Sequence, residues 1–378
     1  MKRLYKFLLC ASAWICSFPL FSEQKIVELV ADFKTECENF SSVLQMRNCD
    51  ARVITSNLNH YGIGVRGHSR IEKFLHKYSL DFWKKITLKD SVERIVFFNL
   101  RHIHRNDLYF DYLPKDKLVL FMFEPPVILP KMYAKKAAEP FGRVYTWDDD
   151  LVDGVKFLKF YYPVLRPMIE EIPSFEDKKF CTLINTKAQN KSTPGCLYDD
   201  RIKAIRYFEN AEEEGFEFYG RRWDPALYKS YRGAVDDKYT VLKNYRFSIC
   251  YENCSNSNGY VTEKIFDCFA AGCVPIYWGA PNIEKYIPKE CFIDRRDFSS
   301  MEELHAFLKN MGKEEYEGYI ARIRAFLSSE QAQLFSSEHF NQLFYEAVTA
   351  DDPTCRNRSV TQELINFTRP SWNGKIER

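Results

Sequence analysis

FSICYENCSNSNGYVTEKIFDCFAAGCVPIYWG, residues 247–279, decides the fold because it predicts a strand, a loop, a helix and a second strand in succession. The apolar run over 247–251 suits a buried strand, and the Asn, Ser and Gly residues after it favour a loop. Thr262 can cap a helix that Gly272 ends, and residues 273–278 return as a strand. The unit is therefore βαβ, with parallel strands and a right-handed crossover.

The start of the predicted helix carries two charged residues. Glu263 and Lys264 lie in its first turn, where the macrodipole and unpaired N–H groups already present partial positive charge. Lys264 adds positive charge to positive charge, and an anion docked at the helix start would turn this repulsion into a binding site. A solvated lysine near a helix start is the alternative that the spacing leaves open.

Length and composition point to a globular protein with two domains. The chain has 378 residues, too many for one compact core, and 46% of them are hydrophobic, which is ample for burial. The formal net charge is only +2 and the charges are mixed along the chain. Because nucleic-acid-binding proteins gather a basic excess on one face, we expect no nucleic-acid partner.

The N-terminus predicts a signal-like or anchor segment. Basic residues precede an uncharged run over residues 7–21, through which we expect membrane association. This run is shorter than the roughly twenty residues that span a bilayer, and Pro19 interrupts it, so a signal is favoured over an anchor. Ten of the 12 cysteines follow the leader, an even count that is compatible with disulfides in an oxidising compartment.

The remaining chain divides by pattern into two α/β domains. In the second domain, strand, loop and helix follow one another twice, as expected of a doubly wound parallel sheet. The predicted parts are the N-terminal segment (1–23), a first α/β domain (24–166), a linker (167–179), a second α/β domain (180–350) and a C-terminal tail (351–378).

The region from 247 to 298 resembles the donor-binding motif of the α1,3-fucosyltransferases of glycosyltransferase family 10. The matching elements are Tyr251-Glu252-Asn253, Tyr260-Val261-Thr262-Glu263-Lys264, Ala271-Gly272-Cys273-Val274-Pro275-Ile276 and Phe292-Ile293-Asp294-Arg295-Arg296-Asp297-Phe298. A looser resemblance extends from about Leu118 to Phe307. It implies an α/β, GT-B-like fold, in which two Rossmann-like domains face each other across a cleft. The first would hold the acceptor and the second GDP-fucose.

The resemblance also implies which side chains neutralise the diphosphate of the donor. Lys264 matches the family lysine, and Arg201, in the first turn of a helix predicted over 198–214, matches the family arginine. Arg201 precedes Lys264 by 63 residues, slightly more than the family spacing, so Arg206 stays open as an alternative. From the residues alone, an ion pair between Arg201 and acids of its own helix is the simpler interpretation.

Further donor-binding residues follow from the same motif. The resemblance implies contacts to the ribose or fucose from Glu263 and Tyr260, with Glu252, Asn253 and Thr262 lining the same loop. A carboxylate can accept hydrogen bonds from two vicinal hydroxyls in a geometry that an amide cannot copy. An ordinary favourable acid in a helix first turn is the alternative for Glu263.

Glu124 is the candidate catalytic base. It follows the apolar run 119–123 and precedes Pro125, which biases it to an extended conformation at the carboxyl end of a strand. The family carries its catalytic glutamate in an E-S-P or E-P context after such a strand, and here Pro stands where Ser is common. Without the resemblance, a glutamate that ends a strand at the surface is equally compatible with the pattern.

These residues predict an inverting fucosyltransferase that moves L-fucose from GDP-L-fucose to an oligosaccharide or glycoconjugate containing GlcNAc, with an α1,3 linkage. No metal or other cofactor is required, although a divalent cation can assist loosely. The run Asp148-Asp149-Asp150 is interpreted as a solvated acidic turn rather than a D-x-D metal motif. Two alternatives stay open: a GT-B enzyme that uses another nucleotide sugar, and a catalytically inactive glycan-binding relative.

Overall fold

The computed structural model describes residues 25–31, 49–55, 92–100, 115–134, 136–188, 193–211 and 215–349. Their strands are β1 (Lys25–Ala31), β2 (Cys49–Thr55), β3 (Val92–Phe98), β4 (Leu118–Met122), β5 (Arg143–Thr146), β6 (Phe157–Lys159), β7 (Lys179–Ile184), β8 (Phe216–Tyr219), β9 (Tyr245–Tyr251), β10 (Val274–Trp278) and β11 (Ile293–Asp294). Their α-helices are α1 (Tyr198–Asn210), α2 (Lys238–Leu242), α3 (Glu263–Ala270), α4 (Met301–Asn310), α5 (Lys313–Leu327), α6 (Glu330–Gln333) and α7 (Ser337–Thr349).

Strands β1 to β6 form one sheet, in the order β2-β1-β3-β4-β5-β6, and all neighbouring pairs are parallel. Its central strand β3 is buried on both faces. Ile95 and Phe97 enter one apolar cluster, whereas Val96 and Phe98 enter another. Continuous apolar strands of this kind are typical of parallel sheets that other elements cover on both sides.

Strands β7 to β11 form the second sheet, in the order β11-β10-β9-β7-β8, again with parallel neighbours only. The chain leaves β7 through α1 toward β8 on one side, and leaves β9 through α3 toward β10 on the other side. The strand order therefore reverses between β7 and β9. In open α/β sheets the carboxyl ends of two such strands border a ligand crevice, and here the starts of α1 and α3 flank it.

The predicted βαβ unit and the two-sheet α/β architecture are confirmed. Thr262 is the N-cap of α3, and Gly272, with φ of +62°, follows its end. A Cβ at Gly272 would lie 2.4 Å from the side chain of Ile172, so both the backbone and the space favour glycine. Helix α1 runs over Tyr198–Asn210, and residues 212–214, over which the predicted helix continues, lie outside the described residues.

The last helix returns to the first sheet. Phe344 of α7 stacks on Phe98 with ring centroids 6.1 Å apart, and Phe340 lies 5.6 Å from Phe121. Aromatic burial of this size is a major source of core stability. The domain limits stay predictions, and α7, inside the predicted second domain, packs on strands of the first.

Loops of the two sheets meet at the run 148–150. The carboxylate of Asp149 accepts hydrogen bonds from Lys159 at 2.6 Å and from Asn282 at 2.7 Å, and also from the hydroxyl of Tyr286. Asp148 is buried, with 8% of its surface exposed. The prediction of a solvated acidic turn is therefore wrong for two of the three residues: Asp148 is buried, and residues distant in the chain bind the carboxylate of Asp149, whereas Asp150 is exposed.

The contact between the loops after β5 and β9 also requires a glycine in the loop after β9. Gly259 has φ of +82°, and a Cβ there would lie 2.4 Å from the backbone oxygen of Trp147. Only glycine allows this conformation and this approach together. The loop after β9 is thereby held against the loop after β5.

In the part of the chain that the structure describes, no helix combines the length and the apolar character that crossing a bilayer needs. The N-terminal segment predicted to associate with membranes, residues 7–21, lies outside the described residues, as does the predicted tail.

Candidate functional site

The start of α3 is built on a buried carboxylate. Glu252 follows β9, is fully buried, and accepts hydrogen bonds from the backbone N–H of Thr262 at 3.0 Å and from its hydroxyl at 2.8 Å. Thr262 in turn caps the helix by accepting from the backbone N–H of Lys264. Glu252 therefore ties the end of β9 to the start of α3.

Lys264 completes this arrangement with its ammonium group. Its Nζ lies 3.1 Å from Glu252 Oε2 and 3.3 Å from Glu263 Oε1, and 23% of its side chain is exposed. Burial disfavours the charged form, but the two carboxylates outweigh it and raise the pKa of Lys264. Lys264 is thus a permanent cation at a helix start, held by one buried and one partly exposed acid.

Arg201 lies in the first turn of α1 and is 4% exposed. Its guanidinium donates to the backbone oxygen of Tyr251 at 2.7 Å and to Asn253 Oδ1 at 3.1 Å. The side chain of Asn253 then donates to the hydroxyl of Tyr260 at 3.1 Å. Arg201 is therefore anchored to the carboxyl end of β9, at the edge of the sheet where the strand order reverses.

The two candidate cations lie close to each other. The positive charge of Arg201 opposes protonation of Lys264. Burial raises the pKa of the Tyr198 hydroxyl, and the charges of both cations partly offset this rise. Arg206 lies elsewhere: it donates to Glu209 at 3.1 Å and stacks on the ring of Tyr228 at 4.0 Å. The structure thus brings Arg201 and Lys264 together, and leaves Arg206 in a separate contact.

Glu124 follows β4, and its backbone is fixed from several directions. The side-chain oxygen of Asn99 accepts from the N–H of Phe123 at 2.8 Å and from that of Glu124 at 2.9 Å. Tyr133 donates to the backbone oxygen of Glu124 at 2.9 Å. Asn99 itself has a φ of +64°, which asparagine tolerates better than most residues. This turn is consequently pre-organised at the carboxyl end of the strand.

The preceding carbonyl is held as well. Trp147 Nε1 donates to the backbone oxygen of Phe123 at 2.9 Å, and the hydroxyl of Tyr162 donates to the same oxygen. Four side chains from separate segments thus orient the two residues Phe123 and Glu124. Such a shell is what holds a reacting group in a single geometry.

The negative charge of Glu124 and the negative charges of the motif loop raise the pKa values of the same two tyrosines. Burial raises the pKa of Tyr162, and the negative charges of Glu124, Glu263 and Glu252 add to this effect. Burial likewise raises the pKa of Tyr260, to which Glu252 and Glu124 contribute. Tyr162, which donates to the carbonyl next to Glu124, also packs on Tyr260 with ring centroids 6.2 Å apart, so the Glu124 turn lies near the motif residues.

The predicted donor-binding residues divide into two groups by exposure. Glu252, Thr262 and Tyr260 are buried and hydrogen-bonded inside the protein, so direct contact with a ligand through their side chains is not what this arrangement favours. Glu263, by contrast, has 44% of its side chain exposed. Burial raises its pKa, but Lys264 and Lys238 outweigh this and lower it to about 2, so Glu263 is ionised at neutral pH.

Several residues of this site were missed by sequence reasoning. Asn99, Tyr133, Trp147 and Tyr162 surround the Glu124 turn, and Tyr198 lies beside Arg201. Only Asn99 carried a usable signal, because it directly follows an apolar strand run. Among the described residues, no group of three or more His, Cys, Asp or Glu side chains is arranged to hold a metal ion.

Comparison with known protein families gives a match over residues 203–345, to the C-terminal domain of glycosyltransferase family 10 (fucosyltransferase). This segment contains the start of α3 but begins after Arg201 and does not include Glu124. The chain is 37% identical over 75 residues to an alpha-(1,3)-fucosyltransferase FucT of Helicobacter pylori, covering 20% of this chain and 16% of that protein.

A longer but weaker likeness covers more of the chain. It is 25% identical over 224 residues to 4-galactosyl-N-acetylglucosaminide 3-alpha-L-fucosyltransferase 9 of Mus musculus, covering 56% of each protein. Both curated relatives are thus matched over only part of their length.

The fold is also found in solved structures. A glycosyltransferase from Rickettsia africae ESF-5 superposes with a TM-score of 0.55 at 9% identity, covering 87% of this chain and 99% of that one. At this identity the likeness shows the fold alone, and it agrees with the two-sheet α/β architecture. With the motif at the start of α3, the family match identifies residues 203–345 as a segment that resembles the C-terminal domain of glycosyltransferase family 10, the fucosyltransferase family.

Proposed function

We propose that the protein is an inverting fucosyltransferase that transfers L-fucose from GDP-L-fucose to a hydroxyl of a GlcNAc-containing glycan, with an α1,3 linkage. One observation carries the proposal: Arg201 and Lys264, at the starts of α1 and α3, bind the adjacent residues Tyr251 and Glu252. On the other side, Tyr162 donates to the carbonyl next to Glu124 and packs on Tyr260 of the motif with ring centroids 6.2 Å apart. The family match over residues 203–345 and relatives described as α1,3-fucosyltransferases support this choice of sugar and linkage.

The departure of the diphosphate needs positive charge. In the proposed reaction, Lys264, whose side chain is 23% exposed, meets the negative charge that grows on GDP as the glycosidic bond breaks, and Arg201, which is 4% exposed, adds its positive charge from within the protein. Both are held in place before the donor binds, Lys264 by Glu252 and Arg201 by Asn253. Fixed charges of this kind stabilise a transition state without reorganisation at the moment of reaction.

Attack on the sugar needs a base. Glu124 is proposed to take the proton from the acceptor hydroxyl as this hydroxyl attacks the anomeric carbon from the face opposite GDP. A single displacement then inverts that centre. The fixed turn around Glu124 supports this role because general-base catalysis requires the carboxylate within hydrogen-bond reach of the proton.

Buried members of the motif are proposed to act indirectly. Glu252 and Thr262 would position Lys264, and Asn253 and Tyr260 would position Arg201. Glu263, which is ionised and partly exposed, is the proposed acceptor of hydrogen bonds from the sugar or ribose hydroxyls of the donor. No protein-bound metal is part of the proposed reaction.

The test is transfer from GDP-fucose to a panel of N-acetyllactosamine, Lewis-type and chitobiose acceptors, with the product linkage determined by NMR. We expect a fucosylated product with an α1,3 linkage, and we expect the Glu124→Gln variant to lose at least a hundredfold in kcat. Absence of both transfer and slow donor hydrolysis in the intact protein would overturn the proposal.

Two alternatives have separate tests. If the donor is another nucleotide sugar, UDP rather than GDP will raise the melting temperature in a comparison at equal concentration. If the protein is a catalytically inactive glycan-binding relative, Glu124→Gln will bind oligosaccharide as the parent does and no transfer will be seen with either donor.

A further inference from the structure

Two cysteines face each other beside the candidate site. Cys196 and Cys254 are partners in an isolated antiparallel bridge. Two backbone hydrogen bonds flank them, from Leu197 N to Asn253 O at 3.1 Å and from Ser255 N to Gly195 O at 2.9 Å. A pair enclosed by hydrogen bonds of its neighbours in this way is a non-hydrogen-bonded pair, in which the Cα atoms lie about 4.5 Å apart and the side chains are close.

This register suits a disulfide bond. Disulfides join residues whose Cα atoms are about 4.4 to 6.8 Å apart with converging Cβ atoms, and a non-hydrogen-bonded antiparallel pair meets the first condition. Both thiols are free in the structure. Cys254 is buried, and its Sγ lies 3.5 Å from the hydroxyl of Ser257, whereas Cys196 is partly exposed.

We propose that Cys196 and Cys254 form a disulfide that joins the start of α1 to the loop after β9. The bond would link Cys196, which directly precedes the N-cap residue Leu197, to Cys254, which directly follows Asn253. Because Asn253 accepts a hydrogen bond from Arg201, the disulfide would hold Arg201 in its present position. This inference is independent of the proposed reaction.

The chemistry requires an oxidant, and a small-molecule disulfide of the glutathione class is sufficient. The thiolate of Cys196, which solvent can reach, attacks this disulfide and releases one small thiol, leaving a mixed disulfide. The thiolate of Cys254 then attacks the sulfur of Cys196 and releases the second small thiol. The two protein thiols are oxidised, the small disulfide is reduced to two thiols, and the two protons pass to the released thiolates.

A second close pair of cysteines, Cys250 and Cys268, is a competing candidate for a disulfide. Cys250 lies beside Cys268, but both are buried and lie in β9 and α3, within the packed core of the second sheet. A disulfide reagent in solution must reach one sulfur first, and only the Cys196 pair has a partly exposed member. The pair of Cys196 and Cys254 is therefore the expected site of oxidation.

The direct test is peptide mapping of the full chain after incubation with oxidised glutathione, compared with a sample kept in dithiothreitol. We expect one cross-linked peptide containing Cys196 and Cys254 in the oxidised sample, and alkylation of both thiols in the reduced sample. Alkylation of both after oxidation, or a link from either to a different cysteine, would overturn the proposal.

Thermal unfolding gives a second readout. The bond would close a loop between cysteines that are 58 positions apart in the chain, and the loop-entropy model then predicts a rise in Tm of about 5 to 10 °C over the reduced protein. Cys196→Ser should abolish this rise. Cys291→Ala, which alters a buried cysteine in a different part of the second domain, should keep it.

The test uses Cys196→Ser and Cys291→Ala and does not depend on Cys254→Ala, a change at a buried position that is more disruptive to folding. Cys196 is partly exposed, so its serine variant is expected to fold. A redox-dependent rise in Tm that persists in Cys196→Ser would contradict the assignment. Neither readout needs enzymatic activity, so failure of the proposed transferase reaction leaves this test intact.

Discussion

At the scale of single residues, burial controls the ionisation of the Asp148 carboxyl group. Burial raises its pKa to about 6, although the N–H of Asp150 donates to its carboxylate at 3.1 Å. An acid whose folded-state pKa is raised binds its proton more tightly in the folded protein than in the unfolded chain. Its ionisation therefore costs stability as the pH rises from about 4 to about 6, and this cost persists at neutral pH.

We accordingly predict that Asp148→Asn stabilises the protein at pH 7.5 by about 1 to 3 kcal/mol, because asparagine keeps the acceptor oxygen without the charge. The gain should vanish near pH 4, where the aspartate is itself protonated in the folded state. Urea unfolding of variant and parent at the two pH values measures the difference. A gain that is equal at both would contradict the assignment.

Asp153 provides a matched control. Its exposed carboxylate accepts from the backbone N–H groups of Val155, Phe157 and Lys156, and these hydrogen bonds lower its pKa. A lowered pKa has the opposite effect on the pH dependence of stability. The stability that Asp153 contributes is present above about pH 4 and is lost as the pH falls through the lowered value. Asp153→Asn should therefore not stabilise the protein at pH 7.5.

A second residue-scale prediction concerns Asn99, which we propose as a positioning residue for Glu124. Asn99→Ala removes the acceptor of two backbone hydrogen bonds and leaves a non-glycine residue at positive φ. We expect a loss of about 2 kcal/mol in unfolding free energy and at least a tenfold fall in kcat, with the dissociation constant of GDP unchanged.

Asn99→Asp keeps the acceptor and tolerates the same backbone conformation, so it should restore most of the lost stability. Unfolding by urea and steady-state kinetics of the two variants test this prediction. Equal kcat values for Asn99→Ala and the parent would show that the turn around Glu124 does not matter to the reaction.

At the scale of elements, the start of α3 depends on one hydroxyl. Thr262→Ala removes the N-cap, worth about 1 kcal/mol, and also deprives buried Glu252 of a hydrogen bond, worth about 1 to 3 kcal/mol. Thr262→Ser keeps both contacts and should cost far less. Chemical denaturation of the two variants provides the comparison, and equal losses for serine and alanine would refute the role of the hydroxyl.

Local signals explain why the elements of the second domain were predictable. Helix α3 lies between the predicted cap and the predicted terminal glycine. These features depend on residues next to each other in the chain.

The candidate site was predictable only where the motif is contiguous. The sequence placed Lys264 at a helix start, but it did not indicate that Glu252 would be buried beneath Thr262. It also gave no sign that Tyr162 and Trp147 would donate to the carbonyl of Phe123. Contacts between distant segments depend on how the sheets pack, and neighbouring residues carry no record of them.

At the scale of the whole molecule, Asp149 links the regions of the two sheets. Its carboxylate accepts from Lys159, the last residue of β6 in the first sheet, and from Asn282 and Tyr286 of the second region. Burial raises its pKa, but these hydrogen bonds outweigh it and the pKa is lowered. The stability that Asp149 contributes is consequently present above about pH 4 and is lost as the pH falls through the lowered value.

We predict that Asp149→Ala lowers the free energy of unfolding at pH 7.5 by about 2 to 3 kcal/mol, because it leaves Lys159 and Tyr286 without their shared partner. Glu176→Gln is a suitable control, since its ion pair with Lys313 is exposed and should contribute little. Urea unfolding at pH 7.5 compares the two variants. Similar small losses would mean that the Asp149 contact does not hold the two regions together.

The charge run 148–150 also shows the limit of composition as a guide. Three consecutive aspartates favour a solvated turn when only their neighbours are considered. Lys159 lies ten residues beyond Asp149, and Asn282 and Tyr286 lie more than a hundred residues further along the chain. The enclosure of these carboxylates is a property of the assembled molecule.

The most direct test of the central claim is the calorimetric titration of GDP into the parent protein, Lys264→Gln and Glu124→Gln. If cations at the starts of α1 and α3 bind the diphosphate while Glu124 serves the acceptor, Lys264→Gln will weaken GDP binding by about tenfold or more, and Glu124→Gln will bind GDP as the parent does. Unchanged GDP affinity in a folded Lys264→Gln variant would contradict the account.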